Sequence, residues 1–298
     1  MSETETPRPA EFDAYWDAVD QELARYPAAP TLERLALPSD EFSTVYALRL
    51  TSTGPYRIFG YLSVPPGEGP FPGLLVAPHY GSVNHLPHLD DRQRYVTLIL
   101  MHRGQRHADQ PFAAAYPGLL TLGIDDPGTY IHRGIVADCL RGAEFLQSLP
   151  SVDASRVAIN GDDLALITAA RRPGLKFAAV QAAGLLFYRL MEARSRSNDY
   201  PVEEINDYLR TESDRGQTVA RTLAYFDPVH HVTGITATTL FSVGSGGREW
   251  IQPLIGAFAG PVEQYALSHE GATDHDWLDA WMARRLGSAP KPRLWQVG

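Results

Sequence analysis

The sequence predicts an α/β domain built on a mostly parallel sheet. Its 298 residues, 44% of them hydrophobic, suffice to bury a substantial core. Short apolar runs that alternate with longer helical or loop segments are typical of parallel strands buried on both faces. The runs are PGLLVAP, YVTLILMH, SRVAIN, FAAVQAAG, TATTLFSVG and VEQYAL. We therefore expect a single domain, 1–298, with a twisted sheet and helices on both of its faces.

Two elements are expected before the parallel strands. The stretch EFDAYWDAVDQELARYP carries large apolar side chains at helical spacing, which predicts an amphipathic helix across the domain's entrance. These side chains are Phe12, Tyr15, Trp16, Val19 and Leu23. The runs STVYALRLTS and YRIFGYLSVP alternate around the turn sequence STGP, so they predict an antiparallel hairpin at a sheet edge.

Segment 185–224 interrupts the alternation after the sixth expected strand, FAAVQAAG. It is rich in Tyr, Glu and Arg, and we interpret it as a helical insertion that caps a site. The helix HRGIVADCLRGAEFLQSL lies upstream and is expected to turn one apolar face to the core. That face consists of Ile135, Val136, Cys139, Leu140, Phe145 and Leu146.

Charge and cysteine content restrict the function classes. The net charge of −9, with no Lys/Arg run, argues against nucleic acid or an anionic membrane as the main partner. The single cysteine, Cys139, excludes an internal disulfide framework and favours a reducing compartment. The N-terminus lacks the layout of a signal peptide, and no apolar run approaches the roughly 20 residues that span a bilayer. We expect a cytoplasmic protein that acts on a small molecule and needs no cofactor.

One short stretch, VAINGDDLAL, is where we expect the functional site. It predicts a buried strand that passes through a tight glycine turn at Gly161 into an apolar helix. A strand-to-helix turn of this kind projects a nucleophile above the sheet. Here the turn carries Asp162 and Asp163 and no serine. We expect Asp162 to act as a solvated or capping neighbour, because aspartate is favoured at helix starts.

The surrounding sequence resembles the acetyl xylan esterase and cephalosporin C deacetylase family of carbohydrate esterases. The resemblance is carried by GLLTLGIDDPGTYIHRGIVADCLRGAEFLQSLPSVDASRVAINGDD, together with GYLSVPPGEGPFPGLLVAPHYG, RGQ, YFDPVHHVTGI and YALSHEG, all in one collinear order. It implies an α/β-hydrolase fold, ester deacetylation as the ancestral chemistry, and a tendency to ring-like homo-oligomers. The RGQ motif, with Arg103 and Gln105, is expected to order the loops below the site.

The same resemblance implies site residues. Family members read Gly-x-Ser-Gln-Gly at the turn, so Asp163 falls in the serine position and Ala165 in that of the second glycine. His269, in SHEG, matches the family's catalytic histidine. The family's aspartate aligns with a glycine or with Arg248, so Glu249 is the candidate for orienting His269 if the loop is shifted.

The oxyanion hole is expected to combine two backbone N–H groups. One belongs to Leu164, which follows the nucleophile position. The other comes from the loop that holds Tyr80, where the family's His-Gly-Tyr order is inverted to His-Tyr-Gly. The inversion leaves the identity of this second donor open.

An aspartate on this turn, opposite a histidine, is the arrangement of haloalkane dehalogenases and epoxide hydrolases. The carboxylate attacks an sp3 carbon, and the histidine then activates water to hydrolyse the alkyl ester. Attack on an ordinary acyl ester would instead give an anhydride, so simple deacetylation is disfavoured. Dehalogenases usually place Trp or Arg after the nucleophile, whereas Leu164 stands here. Epoxide opening needs acidic O–H donors, for which the cap offers Tyr188, Tyr200 and Tyr208.

Other interpretations of the same residues stay open. The chain can be a silent binding or scaffold protein in which Asp163 only complements the helix dipole. Asp163 can also be a base in a non-hydrolytic elimination or cyclisation. The cap tyrosines can serve packing or subunit contacts. The stretch HYGSVNHLPHLDD could suggest a metal site, but a proline-containing loop does not fix ligand geometry, so we expect a loop at the pocket entrance.

Overall fold

The computed structural model describes residues 7–244, 247–268 and 271–292. Its centre is one sheet, which comprises nine strands in this part of the chain. They are β1 (Thr31–Arg34), β2 (Thr44–Thr51), β3 (Arg57–Val64), β4 (Phe71–Val76), β5 (Val96–Met101), β6 (Val152–Gly161), β7 (Phe177–Gln181), β8 (Thr238–Val243) and β9 (Val262–Ala266). The α-helices are α1 (Phe12–Ala24), α2 (Leu89–Arg92), α3 (Ile131–Ser148), α4 (Asp163–Arg171), α5 (Leu190–Ala193), α6 (Glu203–Thr211), α7 (Gly216–Leu223), α8 (Gly247–Gly256) and α9 (Ala272–Leu286).

The strand order indicates where in the sheet a ligand site is expected. The order is β1-β2-β3-β5-β4-β6-β7-β8-β9, antiparallel from β1 to β5 and parallel from β5 to β9. Because β4 lies between β5 and β6, the chain changes direction across the sheet at this point. In open α/β sheets, ligands bind beside such a switch, at the carboxyl ends of the strands. The carboxyl end of β6 is the turn at Gly161.

Helices cover both faces, as predicted. On one face, α3 and α4 contact each other and β6, and the six predicted core residues of α3 are all buried. On the other face, Trp281 and Leu286 of α9 pack with Leu74 and Leu240 of the sheet. No helix in the described ranges is long and apolar enough to cross a bilayer.

The predicted hairpin is present, since β2 and β3 pair along their whole length from Thr44 opposite Val64 to Thr51 opposite Arg57. It does not lie at the sheet edge, because β1 pairs with the outer side of β2. Sequence reasoning missed β1. All four residues of that strand are exposed, so it shows no alternation of apolar and polar side chains. Within 185–224 the chain forms α5, α6 and α7. This segment follows the seventh strand rather than the sixth because β1 adds one.

Helix α1 forms where predicted but does not cover a cavity entrance. Its apolar face is buried against α3 and the segment after α7. Trp16 is fully buried, its ring packs edge-on against Phe226 at 5.5 Å, and its Nε1 donates to the Tyr225 carbonyl at 3.2 Å. The amphipathic pattern identified the buried face, but it could not identify which surface that face meets.

Replacement of Trp16 by alanine is expected to lower the free energy of unfolding by about 3–5 kcal/mol, because a large buried ring and its hydrogen bond are lost. Asp13→Ala, on the exposed side of the same helix, is the control and is expected to change stability by less than about 1 kcal/mol. Urea unfolding measures both. A small effect of Trp16→Ala would show that α1 is not part of the cooperative core.

Candidate active site

The turn between β6 and α4 is closely packed. A Cβ atom on Gly161 would lie 2.9 Å from the Cβ of Ala77 and 3.2 Å from that of Ala165. Glycine at 161 and a small residue at 165 therefore let α4 approach the end of β4. Asp162 has φ −128° and ψ −138°. None of residues 161–163 has a positive φ, so the turn forms without a left-handed residue.

Asp162 caps α4. Its Oδ1 accepts the backbone N–H of Leu164 at 3.1 Å. Burial raises the pKa of Asp162 to about 6, and the Leu164 hydrogen bond opposes that rise. The cap bears on the predicted oxyanion hole, because the N–H of Leu164 is already used. A role for this N–H in binding an oxyanion would require the Asp162 carboxylate to move away.

Asp163 is the first residue of α4 and is 1% exposed. Its Oδ2 accepts backbone N–H groups from Leu186 and from Phe187, the latter at 3.0 Å. Its Oδ1 is buried and has no hydrogen-bond partner in the described structure. Burial, reinforced by the charge of Asp162, raises the pKa of Asp163 well above its usual range, although the two N–H bonds oppose the rise. Burial and the charge of Asp162 therefore favour the neutral form of Asp163.

A cavity of about 370 Å³ opens at this turn. Most of its lining is apolar: Pro78, Ile135, Leu164, Ala183, Leu185, Leu186, Phe187, Ala193, Pro201 and Val202. Its polar lining residues are His79, Tyr80, His102, His132, Asp162, Asp163 and Tyr200. A space of this size and polarity is typical of a small-molecule site.

Two histidines in this lining were missed by sequence reasoning. Burial lowers the pKa of His102 to about 4, and burial together with His102 lowers the pKa of His132 well below its usual range. Both rings are neutral at pH 7. His102 Nδ1 donates to the Arg103 carbonyl at 2.6 Å, whereas His132 Nδ1 is buried without a partner. The available signal was helical spacing, because His132 lies three residues before the predicted core residue Ile135.

Arg103 and Gln105 hold the loops below the cavity. Arg103 forms a two-pronged ion pair with Asp138, with Nη2 at 2.7 Å from Oδ1 and Nε at 3.0 Å from Oδ2. Gln105 donates through Nε2 to the carbonyls of His79 and Gly81 and accepts the His102 N–H at 3.0 Å. These contacts join the end of β5 to the loop after β4, which carries Tyr80.

The candidate tyrosines occupy different places. Tyr80 lines the cavity, and its hydroxyl donates to Glu204 Oε1 at 2.6 Å. Tyr200 also lines the cavity and is 53% exposed. Tyr188 is buried against Trp250, with its hydroxyl on the Trp250 carbonyl at 3.3 Å, and Tyr208 donates to Asp125 at 2.9 Å. Of the three cap tyrosines, Tyr200 alone belongs to the described cavity lining.

The predicted base, His269, lies outside the described residues. Its neighbour Ser268 donates its backbone N–H to the two carboxylate oxygens of the buried Asp274, at 3.1 and 3.0 Å. Glu249, the candidate for orienting His269, is exposed in the first turn of α8 and is not among the residues that line the cavity. Its predicted role stays a prediction.

The histidine-rich loop shows no metal centre. In the described ranges, no three His, Cys, Asp or Glu side chains are grouped so as to hold a metal ion. The rings of His85 and His88 lie 4.7 Å apart, and Nδ1 of His85 hydrogen-bonds to the Leu86 carbonyl at 2.8 Å. Only His79 of this loop's histidines lines the described cavity.

A mostly parallel sheet, with a cavity at the turn from its central strand into a helix, defines an α/β hydrolase. The chain belongs to the acetyl xylan esterase family, because the family model for acetyl xylan esterase matches residues 2–259. The acetyl xylan esterase from Paenibacillus sp. R4 has a similar structure, with a TM-score of 0.82, 25% identity and 96% of each chain covered.

Two further relatives extend the comparison. Acetyl xylan esterase 1 from Thermoanaerobacterium sp. JW/SL YS485 shares the fold, with a TM-score of 0.82 at 19% identity over 95% of this chain and 96% of the other. The acetyl esterase Axe7A of Xylanibacter ruminicola is 25% identical over 255 residues, which are 80% of this chain. This chain spans only 57% of that relative's length.

The raised pKa of Asp163 makes a stability prediction. The folded state retains the Asp163 proton above the unfolded pKa of about 3.9, so the wild type loses stability relative to Asp163→Asn as pH rises. The loss is expected to reach about 1.4 kcal/mol per pH unit until the folded pKa is passed. Urea unfolding of both proteins, and of the control variant below, between pH 2 and pH 8 measures it.

Asp153→Asn is the control of opposite sign. Hydrogen bonds from Ser155 and Arg156 lower the pKa of Asp153 to about 2. The wild type should therefore gain stability over this variant as pH rises from about 2 to about 4. A wild type that gained stability over Asp163→Asn with rising pH would show that Asp163 is ionised in the folded protein.

Proposed function

We propose that this protein is a hydrolase-type enzyme that uses Asp163 where its family uses serine. Its carboxylate attacks an sp3 carbon of a small molecule, as in the opening of an epoxide or a carbon–halogen bond. The product of that step is an alkyl ester of Asp163, and water then hydrolyses it. His269 is the base implied by the family resemblance, and Glu249 is the candidate that orients it.

One observation carries the proposal: the two carboxyl oxygens of Asp163 are in different situations. Oδ2 is fixed by the N–H groups of Leu186 and Phe187, whereas Oδ1 has no partner and the residue lines the cavity. A nucleophilic carboxylate needs this division, with one oxygen held and the other free to attack. A carboxylate that served only the helix dipole would gain from having both oxygens solvated or paired.

The held oxygen also suggests where charge develops. When water attacks the ester carbonyl, negative charge accumulates on the oxygen that faces the two N–H donors. Leu186 and Phe187 therefore supply a preformed oxyanion hole on the cap side of the cavity. They take the place of the pair predicted from the sequence, Leu164 and Tyr80, of which the Leu164 N–H already binds Asp162.

The raised pKa of Asp163 affects the first step. Only the ionised carboxylate is nucleophilic, so Asp163 must first lose its proton. Burial and the charge of Asp162 oppose that loss because they raise the pKa of Asp163. Once ionised, such a carboxylate is poorly solvated and more basic than an ordinary one, which strengthens it as a nucleophile. The apolar lining fits a neutral substrate. Tyr200 also lines the cavity, and we assign to its hydroxyl the protonation of the alkoxide that forms.

A second function uses the same observation. A carboxylate of raised pKa is also a better general base, so Asp163 can abstract a proton in an elimination or cyclisation. The third alternative is a silent binding protein on the same fold, in which a bound ligand would pair with the Asp163 Oδ1 atom. Ordinary deacetylation is disfavoured, because attack by Asp163 on an acyl carbon gives an anhydride.

The proposal also covers the cellular location and the partners of the protein. We propose a cytoplasmic location, a small-molecule substrate, no nucleic-acid or membrane partner, and self-association. The buried free thiol of Cys139 suits a reducing compartment. Exposed apolar side chains on two loops joined by the Arg92 hydrogen bond to Pro38 provide a surface for self-association. They are Leu37, Phe42, Val83, Leu86 and Leu89.

The covalent route predicts labelling of Asp163. After single turnovers of styrene oxide or 1-bromohexane in H₂¹⁸O, mass spectrometry of the peptide that contains Asp163 should show one ¹⁸O atom. The label arises because water attacks the Asp163 carbonyl carbon. Asp163→Asn should lose activity by at least about 10³-fold, since an amide is neither nucleophile nor base. Asp153→Asn is the control, because its carboxylate lies outside the cavity.

Turnover that leaves Asp163 unlabelled would reject the covalent route and favour the general-base role. Saturable binding of substrate without turnover would favour the binding protein. The two alternatives thus give different patterns in the same experiment.

Asp163→Ser tests whether the remaining groups still support family chemistry. The variant is expected to release acetate from 4-nitrophenyl acetate at least about tenfold faster than wild type or Asp163→Asn, because a hydroxyl beside an oxyanion hole can form an acyl ester. Acetate assay at equal protein concentration measures it. Equal rates in all three proteins would mean that the base and the oxyanion donors do not act on this position.

A further inference from the structure

Two residues that line the same cavity each carry a buried polar atom without a hydrogen-bond partner in the described structure. These atoms are Oδ1 of Asp163 and Nδ1 of His132, on residues that are 1% and 3% exposed. An unpaired buried polar atom costs about 1–3 kcal/mol, and native proteins contain few of them. Their occurrence together points to a ligand or a reacting group that pairs with both.

Phe187 contacts both residues. Its backbone N–H donates to Asp163 Oδ2 at 3.0 Å, and its ring packs edge-on against the His132 imidazole with centroids 4.8 Å apart. The ring of Tyr130 also packs against the imidazole, with centroids 4.9 Å apart. The imidazole is therefore positioned by packing rather than by hydrogen bonds, which leaves its nitrogen available.

The surroundings keep this imidazole neutral. His132 is the second residue of α3, where the positive end of the helix dipole disfavours a cation, and the neighbouring His102 and burial act in the same direction. A neutral imidazole is the form that can accept a proton. His102 is less suited to that task, because its Nδ1 is already committed to the Arg103 carbonyl.

We propose that His132 is the base that activates water against the Asp163 ester, a role that the resemblance alone would give to His269. This inference rests on the proposed function, because it needs the alkyl ester of Asp163. In the step, a water O–H bond breaks, its proton passes to His132 Nδ1, and the water oxygen bonds to the ester carbonyl carbon. The tetrahedral oxyanion is held by the N–H groups of Leu186 and Phe187.

Collapse of this intermediate breaks the bond between the carbonyl carbon and the ester oxygen. The alkoxide that leaves takes the proton from His132, which returns to the neutral form. Asp163 is regenerated as a carboxyl group with one oxygen from water. No oxidant, reductant or metal ion is needed for the balance.

Trapping of the ester tests the assignment. His132→Phe preserves an aromatic ring between Phe187 and Tyr130 but cannot accept a proton. After incubation with styrene oxide, acid quench and digestion, its Asp163 peptide is expected to be heavier by one styrene oxide. Turnover should slow by about 10²–10⁴-fold, the usual contribution of a general base. His269→Gln is assayed in parallel, because retention of the adduct by that variant would assign the base to His269.

His231→Phe is the matched control. His231 is also a buried histidine of lowered pKa, at about 3, packed among the rings of Phe12 and Trp16, but it does not line the cavity. The His231→Phe variant should not accumulate the styrene oxide adduct of Asp163. If His132→Phe fails to fold, His132→Gln is read in the same way, because glutamine also lacks a basic nitrogen.

Two results would overturn the assignment. If wild-type Asp163 gains ¹⁸O but His132→Phe and His132→Gln turn over normally without adduct, the covalent route holds and His132 is not its base. The same follows if His269→Gln, and not the His132 variants, retains the adduct. If Asp163 is neither labelled in the wild type nor modified in any variant, the proposed function and this inference both fail.

Discussion

The site is organised by the burial of two adjacent carboxyl groups at the start of α4. Two negative charges in so little water repel each other, and each also loses hydration. Asp162 caps the helix, and burial together with the charge of Asp162 favours the neutral form of Asp163. Asp163 then binds the backbone of Leu186 and Phe187, so the same residue fixes the first turn of the cap against the sheet. The cavity wall therefore depends on this carboxyl group as much as the proposed chemistry does.

Neutrality extends beyond Asp163. His102 and His132 also line the cavity as uncharged groups, because burial disfavours their protonated forms. Charged pairs stand around the cavity instead of inside it, as in the ion pair of Arg103 with Asp138. A low-dielectric space whose fixed donors and acceptors, apart from Asp162, are uncharged suits a neutral substrate whose charge develops only during reaction.

Family membership and site chemistry diverge in this protein. The fold superposes on acetyl xylan esterases along almost the whole chain, and the RGQ motif keeps a dense set of contacts beneath the site. The strand-to-helix turn, by contrast, carries no hydroxyl group. Since function belongs to the groups in a site rather than to the fold that holds them, a shared architecture does not fix the reaction.

The sequence by itself determined the elements whose patterns are local. Periodicity predicted α1, α3, the hairpin and the parallel strands, and the turn at Gly161 marked the site, because side-chain period and turn chemistry are properties of neighbouring residues. Strand β1 was not predicted, because an exposed edge strand has no buried face and therefore no alternation of apolar and polar side chains. Only the tertiary structure decided which oxygens of Asp163 are held and which is free. It alone placed His132 and Tyr200 in the cavity and Tyr188 outside it, since burial and proximity depend on residues far apart in the chain.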